Sequence, residues 1–142
     1  MHPVRVKMDE ALKAIVVPRL RDLGFKGRFP HFRRVAGDRA ELVTFQFFSS
    51  GGSFVVEIAT ITAEEIAAHW KADLTLDTVT AQDTNRRHRL GSVNHGDHWF
   101  RFGKRNYEAG HDRVEPDGVY RSVAQEVVAL LDSDAARWWA GA

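Results

Sequence analysis

Seven side chains offer chemistry at a regular spacing in this 142-residue sequence: Thr44, Gln46, Glu57, Arg87, Arg89, Trp99 and Arg101. The clearest signal is the run Arg86-Arg87-His88-Arg89. In a strand, Arg87 and Arg89 share one face, while His88 and Leu90 take the other. Two guanidiniums side by side suit a carboxylate or phosphate, which they can grip through paired N–H donors. Trp99 and Arg101 share a face in the same way, and lie where they would form a stacking wall one strand over. Glu57 is an outlier, because its parity partners Val55, Ala59 and Ile61 are apolar. Such a carboxylate either faces solvent or pairs, and Arg87 or Arg89 is the available donor. Thr44 and Gln46 occupy polar positions of the neighbouring strand. The reading is a binding module using this mixed face for a small anion, or for an acidic or peptide-like partner. One alternative is an enzyme on a phosphate- or carboxylate-bearing substrate, with Glu57 as acid/base and the arginines stabilising charge. A structural homo-oligomer hiding the face in a homodimer is the other. The arginine run also has a bland explanation, as charge guarding an exposed sheet edge.

Other chemistries lose their support. His95, Asp97, His98, His111 and Asp112 are ligand types, but they lack a helical HExxH spacing. They read as solvated loop residues, and no metal is expected. Ser49, Ser50 and Ser53 sit in a glycine-rich turn without the GxSxG nucleophile elbow. Neither a phosphate-binding GxxxxGK[ST] loop nor a GxGxxG occurs, so no cofactor is expected. The absence of cysteine excludes disulfides, thiolate catalysis and thiolate metal sites. The net charge of +1 arises from alternating basic and acidic blocks, whereas a nucleic-acid binder shows an unopposed basic face. Nucleic acid is therefore not expected as a partner. No apolar run approaches the 18 or so residues of a membrane span, and residues 1–5 lack the apolar core of a signal peptide. The expectation is one soluble, cytoplasmic domain over residues 1–142.

These residues need a frame to hold them. A helix is expected over about residues 9–23, because Met8, Leu12, Ile15, Val16, Leu20 and Leu23 recur at three- and four-residue steps, the stripe of an amphipathic helix. Pro18 predicts a kink or break in it, and Gly24-Phe25 a stop. A first strand is expected over 29–35. Residues 40–48 and 53–61 read as a hairpin around Ser49-Ser50-Gly51-Gly52, whose glycines permit a positive φ. If 48 faces 53, then Val43, Phe45, Phe47, Phe54, Val56 and Ile58 share one apolar face. A one-residue slip would place Glu57 among the phenylalanines. Thr62 to Glu65 forms a capping box opening a helix to about residue 72, followed by a polar loop over 73–85. Residues 86–93 and 98–104 look like another strand pair. Asp117 caps a helix over 118–131, burying Val123, Val127, Leu130 and Leu131, and residues 135–140 form a short terminal helix. Trp70, Trp138 and Trp139 are expected in the core or at helix contacts. This order gives an α+β fold: an antiparallel sheet of about five strands, packed on one face by N- and C-terminal helices.

Several segments taken in order carry a resemblance. They are Leu20-Arg21-Asp22-Leu23-Gly24-Phe25-Lys26, Phe32-Arg33-Arg34, Phe45-Gln46, Ser49-Ser50-Gly51-Gly52-Ser53-Phe54, Arg89-Leu90-Gly91 and Asp97-His98-Trp99-Phe100. Over roughly residues 10–102 the chain resembles the family catalogued as domain of unknown function 4304. The resemblance implies an architecture and no mechanism. The chain departs from the family pattern at Trp99-Phe100, where two tryptophans are frequent, and in a longer loop before Arg86.

Overall fold

The computed structural model describes residues 2–94, 96–107 and 113–142. Helix α1 (Pro3–Asp22) starts earlier than its apolar stripe suggests, because the His2 side chain accepts a hydrogen bond from the Val4 N–H and Pro3 needs no donor at the first position. Val4, Met8, Leu12, Val16 and Leu20 repeat every four residues and are all buried. The helix runs through Pro18 without a break. It ends as expected: Gly24 has φ +93°, the Gly24 N–H bonds the Arg21 carbonyl, and the Phe25 N–H bonds that of Leu20.

Two antiparallel strands follow, β1 (Lys26–Arg28) and β2 (His31–Ala36). Next comes the expected hairpin, β3 (Arg39–Phe47) and β4 (Ser53–Thr62). Its register is the one read from parity, with Phe47 opposite Phe54, Phe45 opposite Val56 and Val43 opposite Ile58. The hairpin glycines serve a different purpose from the one expected. Neither has a positive φ; the chain at 103–105 passes so close that a Cβ on Gly51 would lie 1.9 Å from the Arg105 carbonyl oxygen.

The 86–104 region is not a hairpin. Strands β5 (Arg87–Arg89) and β6 (Phe100–Arg101) both pair with β4, antiparallel, one after the other along the same edge. Together they form one edge strand interrupted at Gly91, whose φ of +83° starts the intervening loop. The six-stranded sheet is therefore ordered β1-β2-β3-β4-β5, with β6 continuing the β5 edge.

Helix α2 (Ala63–Ala67) has the expected Thr62–Glu65 capping box but stops after five residues. Helix α3 (Asp117–Leu130) begins at Asp117, with Pro116 in place of Asp117 as the cap. A single π-type turn (Leu131–Ala135) leads into α4 (Ala136–Gly141). Tyr120, Ala124, Val127, Leu131, Ala135 and Trp139 join the α1 stripe and the phenylalanine face of the sheet in one core; Val123 and Leu130 pack at its margin. The Trp139 indole N–H donates to the Ala59 carbonyl at 3.0 Å, fastening the last helix to the sheet. Trp70 departs from expectation: it is 82% exposed. Among the described residues no helix is long and apolar enough to cross a membrane.

Half of the opposite sheet face is also covered. Leu42, Ala59 and Ile61 are buried there beneath Val79 and Ala81, with Ile66, Leu74 and Leu76 against them. The segment read as a polar loop supplies this lid, so only part of the mixed face stays open.

Candidate functional site

The polar part of the mixed face is organised by strand register. His31 of β2 stands opposite Thr44 of β3, Thr44 opposite Glu57 of β4, and Glu57 opposite Arg89 of β5. Side chains at paired positions touch. His31 Nδ1 is 2.9 Å from the Thr44 hydroxyl. The Arg89 Nε donates to Glu57 Oε1 at 3.2 Å, and an Arg87 terminal nitrogen lies 3.6 Å from the same oxygen. Thr44 and Glu57 are buried, at 1% and 5% exposure. Burial lowers the His31 pKa below its usual value, against an opposing pull from the Asp83 carboxylate, so the neutral ring is favoured.

This row sorts six of the seven residues into two groups. Thr44, Glu57, Arg87 and Arg89 form a polar ladder across three strands. Glu57 pairs with both arginines, the structural role its parity suggested. A carboxylate closed to water and held by two cations is poorly placed to exchange protons with a substrate. Trp99 and Arg101 lie elsewhere, four residues along β4 toward the hairpin turn, a separation of about 13 Å. Gln46 lies between, exposed, opposite the buried Val55.

At that far end the surface folds into a hollow of about 280 Å³ lined by Phe48, Ser53, Trp99, Arg101 and Arg105. Its geometry follows from the glycine turn. Gly52 donates to the Lys104 carbonyl at 2.8 Å and accepts from the Phe102 N–H at 2.8 Å; Ser50 accepts from the Tyr107 N–H at 2.7 Å. These bonds pin residues 102–107 over the hairpin and carry Arg105 to the rim. Register places Arg101 opposite Ser53 on the floor. Phe48 and Trp99 stand at the sides, 41% and 43% exposed. Among the described residues no carboxylate lines the hollow, and neither guanidinium is ion-paired. Two guanidiniums without a carboxylate partner among the described residues, beside two aromatic rings, suit a negatively charged group.

Parity alone points to Phe48, which shares the Gln46 face. Arg105 has no such signal, since it arrives through a close approach of two loops that only the Gly51-Gly52 pair permits.

The histidine expectations divide similarly. His98 packs edge-on against Phe100, with Nε2 3.3 Å from Glu126 Oε1, and Asp97 is exposed. His95, His111 and Asp112 lie outside the described residues. Among those described, no cluster of three or more ligand-type side chains is arranged to hold a metal ion.

Residues 16–141 match the family model described as Domain of unknown function (DUF4304). No curated protein and no solved structure matches the chain.

Proposed function

The chain belongs to the DUF4304 family, and we propose that it is a binding module for a small anion or an acidic, peptide-like group, received at the open end of the mixed sheet face. The observation that carries this reading is the pair Arg101 and Arg105 in a hollow that Phe48 and Trp99 wall and that no carboxylate lines among the described residues. The ligand's carboxylate or phosphate bonds the two guanidiniums, with the Ser53 hydroxyl beneath, and Trp99 covers its less polar part. Gln46 extends the surface for the rest of a larger partner. Thr44, Glu57, Arg87 and Arg89 serve as the scaffold that fixes β4 against the edge strand, which is what aims Arg101.

Thermal unfolding in phosphate or sulfate, against chloride at matched ionic strength, tests the proposal. A ligand at ten times its Kd adds about 1.4 kcal/mol to stability by mass action, roughly 3–6 °C in a chain of this size. Wild type and Arg87→Met are expected to gain it; Arg101→Met and Arg105→Met are not. An equal gain in all four proteins would mean only that these salts are excluded from the protein surface, and the proposal would fall.

A further inference from the structure

Trp70 lies on a different part of the surface, where the chain leaves α2, and is 82% exposed. Its ring nonetheless leans on an anchored neighbour. The neighbouring His69 accepts the Lys71 backbone N–H on Nδ1 at 3.1 Å, so its other nitrogen is the donor, to the Asp83 carbonyl at 2.9 Å. The Trp70 ring stacks on this anchored imidazole at 5.6 Å between centroids and 29° between planes, and Lys71 Nζ lies 5.4 Å from its centre. A large indole is thus braced and held out to solvent beside a hollow of about 500 Å³, whose walls include Glu65, Gln82, Asp83 and Asn85.

The charges in those walls are already engaged. Glu65 is bonded by Thr62 and Arg86, and Asp83 by Lys71 and Thr80. The Gln82 and Asn85 amides are exposed and make no hydrogen bond among the described residues, so each offers a donor and an acceptor. Among the described residues the wall's one ammonium, Lys71, is spent on Asp83 and leaves no free cation for an anion, which separates this hollow from the arginine site. What remains is a flat π surface beside free neutral amides. This combination suits a ligand with an apolar C–H face and hydroxyls around its rim. We propose that the Trp70 hollow is a carbohydrate site that takes a neutral pyranose, stacked on the indole with its hydroxyls on Gln82 and Asn85.

The indole N–H resonances, followed by NMR during titration with methyl β-glucopyranoside, methyl β-galactopyranoside or N-acetylglucosamine, report this directly. At least one sugar should shift the Trp70 signal saturably, leaving Trp138 and Trp139 unmoved. Gln82→Ala should weaken that binding about fivefold, the worth of one or two hydrogen bonds. Trp70→Ala should abolish binding, read from the backbone amides of residues 82–85, with an unchanged melting temperature because the ring is so exposed. Absence of a saturable shift with all three sugars overturns the proposal. So does saturable binding by adenosine alone, or sugar binding that survives Trp70→Ala. None of these outcomes bears on the arginine hollow.

Discussion

Replacing Arg89 with methionine isolates the ladder that holds the edge strand. The substitution keeps the aliphatic stem and removes the guanidinium that donates to Glu57 at 3.2 Å. The Glu57 side chain is 6% exposed, so its carboxylate cannot turn to water for compensation. Breaking a fully buried pair from one side costs about 3–5 kcal/mol. Here the cost is smaller, for two structural reasons. Arg87 stays within 3.6 Å of the same oxygen, and the Arg89 side chain is itself 27% exposed. About 2 kcal/mol is expected, or roughly 4–8 °C in melting temperature for a chain of this size. The double variant Glu57→Leu with Arg89→Met leaves no stranded charge and should return to within about 1 kcal/mol of wild type. Urea unfolding of wild type, both single variants and the double variant closes the cycle. Additive losses, or Arg89→Met within about 0.5 kcal/mol of wild type, would refute the argument that this pairing anchors the edge.

Four further outcomes follow from the same geometry. Phe45→Ala removes a ring that is 3% exposed between Phe29, Phe32 and Phe54; urea unfolding should show a loss of about 3–5 kcal/mol. Gly51→Ala places a methyl group against the Arg105 carbonyl, so calorimetry should show a lowered melting temperature and no stabilisation by phosphate. Gly118→Ala, where a Cβ meets nothing within 4 Å inside α3, should raise stability by about 0.5–1 kcal/mol in the same assay. Burial works to raise the Asp83 pKa, but hydrogen bonds from Lys71 and Thr80 and the Lys71 charge outweigh it and hold the carboxyl below its ordinary 3.8. A depressed carboxylate stabilises the fold fully above its unfolded pKa and loses that contribution as pH falls through the folded value. Urea midpoints should therefore drop less steeply below about pH 4 in Asp83→Asn than in wild type, and parallel curves would contradict this.

The hairpin was legible because one parity of its two strands is wholly apolar, and a slip of one residue would bury Glu57 among phenylalanines. The helix stop at Gly24-Phe25 was legible for a similar local reason. What escaped the sequence depends on contacts between distant segments. Leu74, Leu76, Val79 and Ala81 follow neither a helical nor a strand period, so nothing local marks them as the lid over Leu42 and Ala59. Strands β5 and β6 share β4 as partner, a choice made by the sheet edge and invisible in residues 86–93 and 98–104 themselves. The candidate site was legible by half. Parity correctly joined Glu57 to Arg87 and Arg89, and Trp99 to Arg101. It could not tell that about 13 Å of strand separates these groups, or that Arg105 completes the second. Trp70 misled because a tryptophan's size argues for burial, whereas here the short α2 ends before its ring can turn inward.

The proposed receptors of the anion are Arg101 and Arg105, and not the paired arginines of the ladder. Titration of isotope-labelled protein with phosphate, followed by backbone and indole N–H resonances, tests this at residue level. Saturable shifts are expected at the Trp99 indole and at the amides of Ser53, Arg101 and Arg105, with Glu57, Arg87 and Arg89 unmoved. Shifts centred on Glu57, Arg87 and Arg89, or no saturable shift at Trp99, would contradict it.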